Sequence, residues 1–323
     1  MHVSFHDMAP GVRVMGSLVR MVVPRFTVPL FERQNRLLDK WLKGRWLGRR
    51  TRMEEVEIPR ADGTLLRLCV VQPRRATSAP RTGLLWMHGG GYAIGLPEQD
   101  ALFADLFARD GRCTLVMPDY RRATQAPYPA ALEDCYAALR WMASHAQVLG
   151  VREDQLFVGG DSAGGGLAAA LCLYARDRGE VNIAYQLPLY PMLDDRMETP
   201  SAQENDAPVW NTASNRAAWG LYLRGMTGER IPPYAAPARA EDMSGLPPAC
   251  TFVGTLEPFY DETVCWFRRL EAAGVPVQIR TFPGCYHAFD LISYPSRPAR
   301  KARAFVLEAF CDAQARYVRP QPE

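Results

Sequence analysis

The hydrophobic and polar positions from Met53 onward alternate between two kinds of segment. A strand-like run ending in VEIP, the turn ADG and the run TLLRLCVV predict a β-hairpin. Short apolar runs then alternate with longer helical segments, from GLLWMHGGG to the final SRPARKARAFVLEAFCDAQARY. Strands alternating with helices of this length indicate βαβ crossovers. We therefore expect an α/β fold with a mostly parallel eight-stranded sheet and helices on both faces.

The first 52 residues have a different pattern. Four apolar residues recur there at helical spacing: Leu37, Leu38, Trp41 and Leu42. Residues 33–52 hold eight basic side chains, opposed only by Asp39. We interpret this stretch as an amphipathic helix that packs on the main domain through its apolar face and exposes its basic face. A helix lying on a membrane surface is the alternative interpretation.

A second segment, residues 195–234, also breaks the alternation. It contains helix-like patches punctuated by Pro and Gly but no strand-like run. An insertion of this length in an α/β domain is typically functional, and a lid over the carboxyl edge of the sheet is the expected role. We therefore predict a helical cap formed by residues 1–52 and 195–234. The α/β core is expected to comprise residues 53–194 and 235–323.

Composition narrows the class of protein. Of the 323 residues, 48% are hydrophobic. The chain has 38 Lys and Arg and 35 Asp and Glu, and because these charges nearly balance, a nucleic-acid partner is not expected. The apolar runs are shorter than the roughly 20 residues of a membrane span, and the N-terminal stretch lacks a signal-peptide pattern. Eight scattered cysteines show no CxxC pair and no metal-ligand spacing. We expect a cytoplasmic protein with reduced thiols, no metal and no integral membrane segment.

The strongest chemical signal is GGDSAGGG at residues 159–166. It contains G-x-S-x-G at 160–164, between the strand-like QLFV and the helix-like LAAALCLYARD. This strand–turn–helix setting is the one that a nucleophile elbow requires, which makes Ser162 the candidate nucleophile. Phosphate-binding motifs do not fit, because Gly165 stands where a P-loop needs Lys and Ile94 where a dinucleotide fingerprint needs Gly.

A second motif, His88-Gly89-Gly90-Gly91, follows the strand-like GLLWM. It has the form of the HGGG motif, whose backbone amides complete an oxyanion hole. Three successive glycines leave the main chain bare, so that several amide protons can be directed at one point.

A serine nucleophile needs a base, and the chain offers five histidines: His2, His6, His88, His145 and His287. The first two lie in the N-terminal arm, His145 lies in a helix-like segment, and His88 is expected to brace the glycine loop. His287 follows the last strand-like run and is the candidate base. The acid that orients it should follow the preceding strand. Glu257 is the first carboxylate there, and Asp261, one turn later, is the alternative.

These motifs resemble the hormone-sensitive lipase family of α/β-hydrolases, the bacterial family IV esterases. The likeness covers most of the chain from residue 53 onward and includes PDYRRATQAPYPAALEDCYAALRW, QLPLYPMLDDR and FPGCYHAF. It implies an α/β-hydrolase fold with a helical cap. The implied roles are Ser162 as nucleophile, Glu257 as acid, His287 as base, and an oxyanion hole of the Gly90, Gly91 and Ala163 amides in a loop shaped by Gly89.

The resemblance also implies a function. A serine carboxylesterase would hydrolyse small-molecule esters with short to medium acyl chains through an acyl-enzyme intermediate, without a cofactor, and the protein would be a homodimer. An amidase, lactonase or thioesterase with the same triad, or a non-catalytic hydrolase-fold receptor, is the alternative. The chain departs from the family in having Glu rather than Asp at 257 and DYRRATQ rather than DYRLAPE at 119–125.

Overall fold

The computed structural model describes residues 1–23, 25–75, 79–110, 112–226 and 230–322. The strands are β1 (Thr51–Pro59), β2 (Leu65–Pro73), β3 (Arg81–Met87), β4 (Cys113–Pro118), β5 (Val151–Asp161), β6 (Tyr185–Leu189), β7 (Ala249–Gly254) and β8 (Val277–Phe282). The α-helices are α1 (Arg13–Val22), α2 (Val28–Trp41), α3 (Ala101–Ala104), α4 (Ala130–Ser144), α5 (Ala146–Leu149), α6 (Ala163–Arg178), α7 (Thr212–Tyr222), α8 (Tyr260–Ala272), α9 (Phe289–Ile292) and α10 (Arg297–Arg316). None of the helices in these ranges combines the length and apolarity that crossing a bilayer demands.

The eight strands form one sheet in the order β1-β2-β4-β3-β5-β6-β7-β8. Strand β2 runs antiparallel to β1 and β4, and the pairs from β4 through β8 are parallel. The β1–β2 hairpin pairs Pro59 with Leu65 across its turn, as its alternating pattern predicts. The predicted mostly parallel α/β sheet is therefore confirmed.

Successive side chains of the central strands enter two different cores. In β3, Leu85 and Met87 pack with α4 and α6 on one face, whereas Leu84 and Trp86 pack with α10 on the other. Because side chains of a strand alternate between faces, a strand that is apolar throughout must be covered on both sides. This explains the continuous apolar runs in the sequence.

The segment ALFADLFARDG differs from the single helix that its pattern predicts. It forms α3 and then a π-helical turn over Asp105–Asp110. The Asp105 carboxylate accepts hydrogen bonds from the Arg49 amide (2.8 Å) and the Thr51 hydroxyl (2.7 Å). These long-range bonds tie the turn to the start of β1, and a local pattern carries no information about them.

Helix α2 packs through a different face from the one predicted. Phe31 and Asn35 are its buried residues, whereas Leu37 and Trp41 are exposed. The Asn35 side chain donates a hydrogen bond to the carbonyl of Ala93 (2.8 Å), in the loop after β3. A polar side chain that satisfies buried backbone groups thus positions the helix, and an analysis of apolar spacing does not detect such a contact.

Candidate active site

Ser162 occupies the sharp turn between β5 and α6. Its backbone φ is +57°, a region that costs energy for a residue other than glycine. The main chain holds this conformation, since the Ser162 amide donates to the carbonyl of Leu189 (2.9 Å) and the Ser162 carbonyl accepts from the amide of Met192 (3.0 Å). Strand β5 and helix α6 thereby present the hydroxyl at the carboxyl edge of the sheet, as expected of a nucleophile elbow.

Close backbone approach explains the glycine after the elbow. A Cβ on Gly164 would lie 2.0 Å from the carbonyl oxygen of Met87 at the end of β3. No side chain fits in this space, because both partners are backbone segments anchored in regular structure. The glycine lets the first turn of α6 contact the strand that leads into the HGGG loop.

His287 lies in the loop after β8, between Ser162 and Glu257. Its Nε2 atom is 2.8 Å from the Ser162 Oγ, and its Nδ1 atom is 2.6 Å from the Glu257 Oε2. All three side chains are buried. The second carboxylate oxygen of Glu257 accepts a hydrogen bond from the Gly254 amide (2.7 Å). A carboxylate fixed in this way holds the imidazole with a proton on Nδ1, which leaves Nε2 free to accept the serine proton.

The alternative acid, Asp261, has another partner. Its carboxylate accepts a hydrogen bond from the amide of Ser201 (2.7 Å), and its own amide donates one to the Ser201 hydroxyl oxygen (3.0 Å). Asp261 therefore fastens the 195–234 segment to the start of α8. Glu257 is the carboxylate that contacts His287.

The other histidines lie away from this contact. His2, His6 and His145 are exposed. His88 is buried and stacks on the ring of Tyr120 with 4.2 Å between centroids. Burial lowers the pKa of His88 to about 4, so it stays neutral at ordinary pH and braces the glycine loop.

Among the backbone amides near Ser162, those of Gly90, Gly91 and Ala163 have no acceptor within the described residues. Gly91 and Ala163 are buried, and unpaired buried donors are rare in folded proteins. Gly90 has a φ of +118°, and a Cβ there would lie 1.9 Å from the carbonyl oxygen of Ile94. The loop conformation thus depends on glycine and leaves donors for a developing oxyanion.

Gly89 has a different role in the same loop. Its carbonyl accepts hydrogen bonds from the Gln99 side chain (3.2 Å), and a Cβ on Gly89 would lie 2.4 Å from Oδ2 of Asp161. Burial raises the pKa of the Asp161 carboxyl, and a hydrogen bond from the Gly89 amide offsets part of this rise. Gly89 therefore shapes the loop by allowing close packing against Asp161.

Trp210, in the 195–234 segment, packs over the site. Its ring centroid is 6.4 Å from that of His287, and a Cβ on Gly91 would lie 2.3 Å from its ring. Val209 before it has a φ of +71°, in a tight turn closed by a 2.9 Å bond from the Trp210 amide to the carbonyl of Pro208. A β-branched residue is strained in this region, and such strain is typical of functional positions.

Two residues of the N-terminal segment complete an aromatic cluster with Trp210. Phe26 and Phe31 stack on each other with 5.5 Å between centroids, and Phe26 lies 5.5 Å from Trp210. The Phe26 amide donates to the Ser214 hydroxyl (2.8 Å). The sequence contained no signal for this contact, because the two segments are nearly 190 residues apart.

Three buried aspartates lie behind the elbow, and the sequence analysis assigned no role to them: Asp100, Asp161 and Asp290. The Asp100 and Asp161 carboxyls hydrogen-bond to each other, and Trp86 Nε1 donates to Asp100 (2.8 Å). Burial raises the pKa of both carboxyls, and it raises the pKa of Asp290 to about 7. A positive charge on His287 lowers the pKa of Asp161, so the cluster is electrostatically linked to the triad.

Within the described ranges, no group of three His, Cys, Asp or Glu side chains is arranged to hold a metal ion.

Comparison with known proteins places this geometry in a family. A family model described as an alpha/beta hydrolase fold matches residues 84–291. The esterase LipI of Mycobacterium tuberculosis is 36% identical over 216 residues, which are 64% of this chain and 65% of LipI. The chain thus spans slightly less than two thirds of that relative's length. The ethyl acetate hydrolase of Pseudomonas putida is 30% identical over 80% of this chain and 81% of its own.

Solved structures agree over nearly the whole chain. A bacterial heroin esterase superposes with a TM-score of 0.87 at 32% identity, covering 97% of this chain and 99% of its own. The esterase LipW of Mycobacterium marinum superposes with a TM-score of 0.81 at 27% identity, covering 96% and 97%. The resemblance inferred from the motifs is confirmed: this chain belongs to the α/β-hydrolases, within the hormone-sensitive lipase family.

Proposed function

We propose that this protein is a serine carboxylesterase. The observation that carries the proposal is the continuous hydrogen-bonded chain from the Ser162 Oγ through His287 to Glu257, at 2.8 Å and 2.6 Å. A serine hydroxyl is a weak nucleophile until an adjacent base accepts its proton. The relatives named esterase support the same activity.

The proposed reaction forms an acyl-enzyme. As the Ser162 Oγ attacks the ester carbon, His287 Nε2 takes its proton and the carbonyl oxygen becomes an oxyanion. His287 then gives this proton to the departing alcohol. Water, deprotonated by His287, then attacks the acyl carbon of the acyl-enzyme. His287 returns this proton to the Ser162 Oγ as its bond to the acyl carbon breaks, and the carboxylic acid is released.

The electrostatics of the elbow favour this charge distribution. The Gly90, Gly91 and Ala163 amides are proposed to bind the oxyanion, and Ala163 opens α6, where the helix dipole favours negative charge. Asp161 is adjacent to the nucleophile, and an ionised carboxylate there would oppose the oxyanion. Burial raises the pKa of Asp161 and so favours its neutral form.

The substrates are proposed to be small esters with short to medium acyl chains. The name of the ethyl acetate hydrolase relative is consistent with short substrates. The aromatic wall of Trp210, Phe26 and Phe31 suits an apolar group. Amides, lactones and thioesters pass through similar intermediates and are tested in the same assay series. A non-catalytic receptor is disfavoured, because the hydrogen-bonded triad is complete.

The cap assignment is part of this proposal. Residues 1–52 and 195–234 form the cap, and residues 53–194 and 235–323 form the core. A few positions of each part lie outside the described residues: 24 and 227–229 in the cap, and 76–78, 111 and 323 in the core. The contact between Phe26 and Ser214 supports treating the two cap segments as one unit.

The eight cysteines are all unpaired thiols, which supports a cytoplasmic location. A homodimer is proposed on family resemblance, and light scattering after size exclusion tests it.

The decisive experiment removes the Ser162 hydroxyl. Ser162→Ala should abolish hydrolysis of p-nitrophenyl acetate and covalent labelling by a fluorophosphonate. Ser144→Ala is the matched control, because Ser144 is an exposed serine at the end of α4. The proposal is refuted if the fluorophosphonate still labels Ser162→Ala and the label is lost only when a different serine is replaced. That different serine would then be the nucleophile.

A further inference from the structure

Helix α1 exposes an apolar surface. Val14, Leu18, Met21 and Val22 are 63%, 46%, 73% and 80% exposed. Their spacing of i, i+4, i+7 and i+8 puts them on one side of the helix. We call these four residues the outer face of α1.

The opposite side of α1 is docked on the protein. A Cβ on Gly16 would lie 2.6 Å from the Tyr286 ring, so helix and ring are in close contact. The Arg20 guanidinium donates to the carbonyls of Val3 and Asp206 (both 2.8 Å) and fixes the helix in this orientation. The outer face therefore cannot turn inward without breaking this docking. A helix that is apolar on both sides is ordinarily covered on both.

The exposed apolar residues concentrate in the N-terminal segment, residues 1–52. Of 17 large hydrophobic residues that are exposed in the described ranges, 11 fall within the first 47 positions. Isolated exposed apolar residues are normal on any protein surface, but a concentration of this kind marks an interaction site.

The same segment is strongly basic. Residues 1–52 contain eleven Lys and Arg and three Asp and Glu, a net charge of +8, whereas the remaining 271 residues have a net charge of −5. Arg25, Arg33, Arg36 and Arg45 are exposed, and none of them forms an ion pair with a described residue. The charge is thus available to an outside partner.

The segment covers the edge of the sheet at which the active site lies. Helix α1 docks on Tyr286, next to His287, and Asn35 of α2 binds the Ala93 carbonyl in the loop that follows Gly91. Phe26, between the two helices, packs on Trp210. A partner bound to the outer face would therefore lie at the same end of the molecule as the site.

We propose that the outer face of α1, with the basic side chains of residues 1–52, docks on an anionic lipid surface. Exposed apolar side chains on a helix, in one segment with exposed arginines that form no ion pair, are the combination that binds in the interface plane of such a surface. Anionic headgroups complement the basic charge, and the acyl boundary accepts the four apolar side chains. The inference is independent of the esterase activity.

A second copy of the chain fits this face less well. A two-fold contact uses the same patch on both subunits. Such a contact through α1 would bring two segments of charge +8 together, and like charges at close range oppose association. The dimer is nevertheless an outcome that the experiment distinguishes.

The test is flotation of the full chain with vesicles. Ether-linked phosphatidylcholine is used alone or with about 30% ether-linked phosphatidylglycerol, since ether lipids contain no ester bond that the proposed activity could cleave. We expect binding to the anionic vesicles, at least about tenfold weaker binding to the neutral vesicles, and loss of binding in high salt.

A pair of charge-matched variants tests the role of α1. Met21→Glu with Val22→Glu should reduce binding to the anionic vesicles at least about tenfold. Val148→Glu with Val318→Glu introduces the same charge at two exposed valines outside the segment and should bind within about twofold of the original. Unchanged unfolding temperatures for both variants establish that folding is intact.

Other results overturn the proposal. Equal binding to neutral and anionic vesicles, no vesicle binding, or equal losses in the two variants would each reject anionic lipid as the partner of α1. A protein that ignores vesicles but changes from dimer to monomer in the α1 variant would assign the outer face to a second copy of the chain.

Discussion

The Nδ1 atom of His287 lies 2.6 Å from Glu257 Oε2, although 30 positions separate the two residues in the chain. Glu257→Gln keeps the size of the side chain but no longer stabilises an imidazolium or fixes the proton on Nδ1. We expect kcat/KM for p-nitrophenyl acetate to fall by about 10⁴-fold. Asp261→Asn is the control and should stay within about threefold of the original, since Asp261 binds Ser201 instead. A larger loss in Asp261→Asn than in Glu257→Gln would reverse the assignment of the acid.

Replacing glycine by alanine should change the free energy of unfolding in opposite directions at Gly164 and Gly220. A Cβ on Gly164 meets the Met87 carbonyl at 2.0 Å, so Gly164→Ala must displace β3 or α6 and should cost about 3 kcal/mol or more of unfolding free energy. A Cβ on Gly220 in α7 meets nothing within 4 Å, and alanine there should stabilise by about 0.5–1 kcal/mol. Chemical denaturation measures both. Equal effects at the two positions would contradict the packing described for the elbow.

Trp210 is expected to limit the size of the alcohol half of the substrate. In the tetrahedral intermediate the departing alkoxide must lie beside His287, which protonates it, and the oxyanion beside Gly91. Trp210 borders both residues. Trp210→Ala should therefore raise the ratio of kcat/KM for benzyl acetate to that for ethyl acetate by about tenfold.

The matched control is Trp219→Ala, which removes a buried tryptophan that packs on Tyr92 rather than on His287. Its ratio for the two alcohols should be unchanged, whatever its effect on stability. If Trp210→Ala altered the preference for acyl length and left the alcohol ratio constant, Trp210 would line the acyl side instead.

Asp290 makes stability depend on pH. Burial raises its pKa to about 7 from the ordinary value of 3.8, so between these values the folded state holds a proton that the unfolded chain has released. Its contribution to the free energy of unfolding therefore falls as pH rises through this interval. Asp290→Asn is neutral at every pH. We expect its unfolding temperature to exceed that of the original by at least about 2 °C at pH 8, with a smaller difference at pH 4.

A control variant and the shared titration of His88 isolate the effect of Asp290 on the unfolding temperature. Glu153→Gln, an acid-to-amide change at an exposed position, should show no pH-dependent difference. Burial lowers the pKa of His88 to about 4 and makes stability fall as pH drops toward that value, but this effect is common to all the variants and cancels. A constant difference between Asp290→Asn and the original from pH 4 to 8 would contradict a protonated Asp290.

The sequence was sufficient for the parts of the fold and the site that depend on local chemistry. The strand runs from GLLWM to VQIRTF carried their own burial pattern, and Ser162 was recognisable because its glycines serve backbone contacts within a strand–turn–helix unit. His287 was also recognisable from the sequence, because the other four histidines could be excluded as the base. The distances that join it to Ser162 and Glu257 required coordinates.

Contacts between distant segments were beyond the sequence. Phe26 and Trp210 meet only because α2 and α7 pack together, and Trp210 had no property that separated it from the other tryptophans. The Asp100–Asp161 pair was equally hidden, because an acidic residue is normally assigned to the surface and its burial depends on the tertiary fold. The face of α2 was predicted wrongly because Asn35 rather than leucine makes the docking contact.

The turn at Ser162 is built by main-chain bonds to Leu189 and Met192, and its hydroxyl takes no part in holding the strained φ. Deleting the oxygen should leave the cleft fully assembled around a missing atom. The alanine form is therefore a means of trapping uncleaved esters for crystallography, and ligands retained from a mixed library by that form would reveal which compounds the cleft accepts.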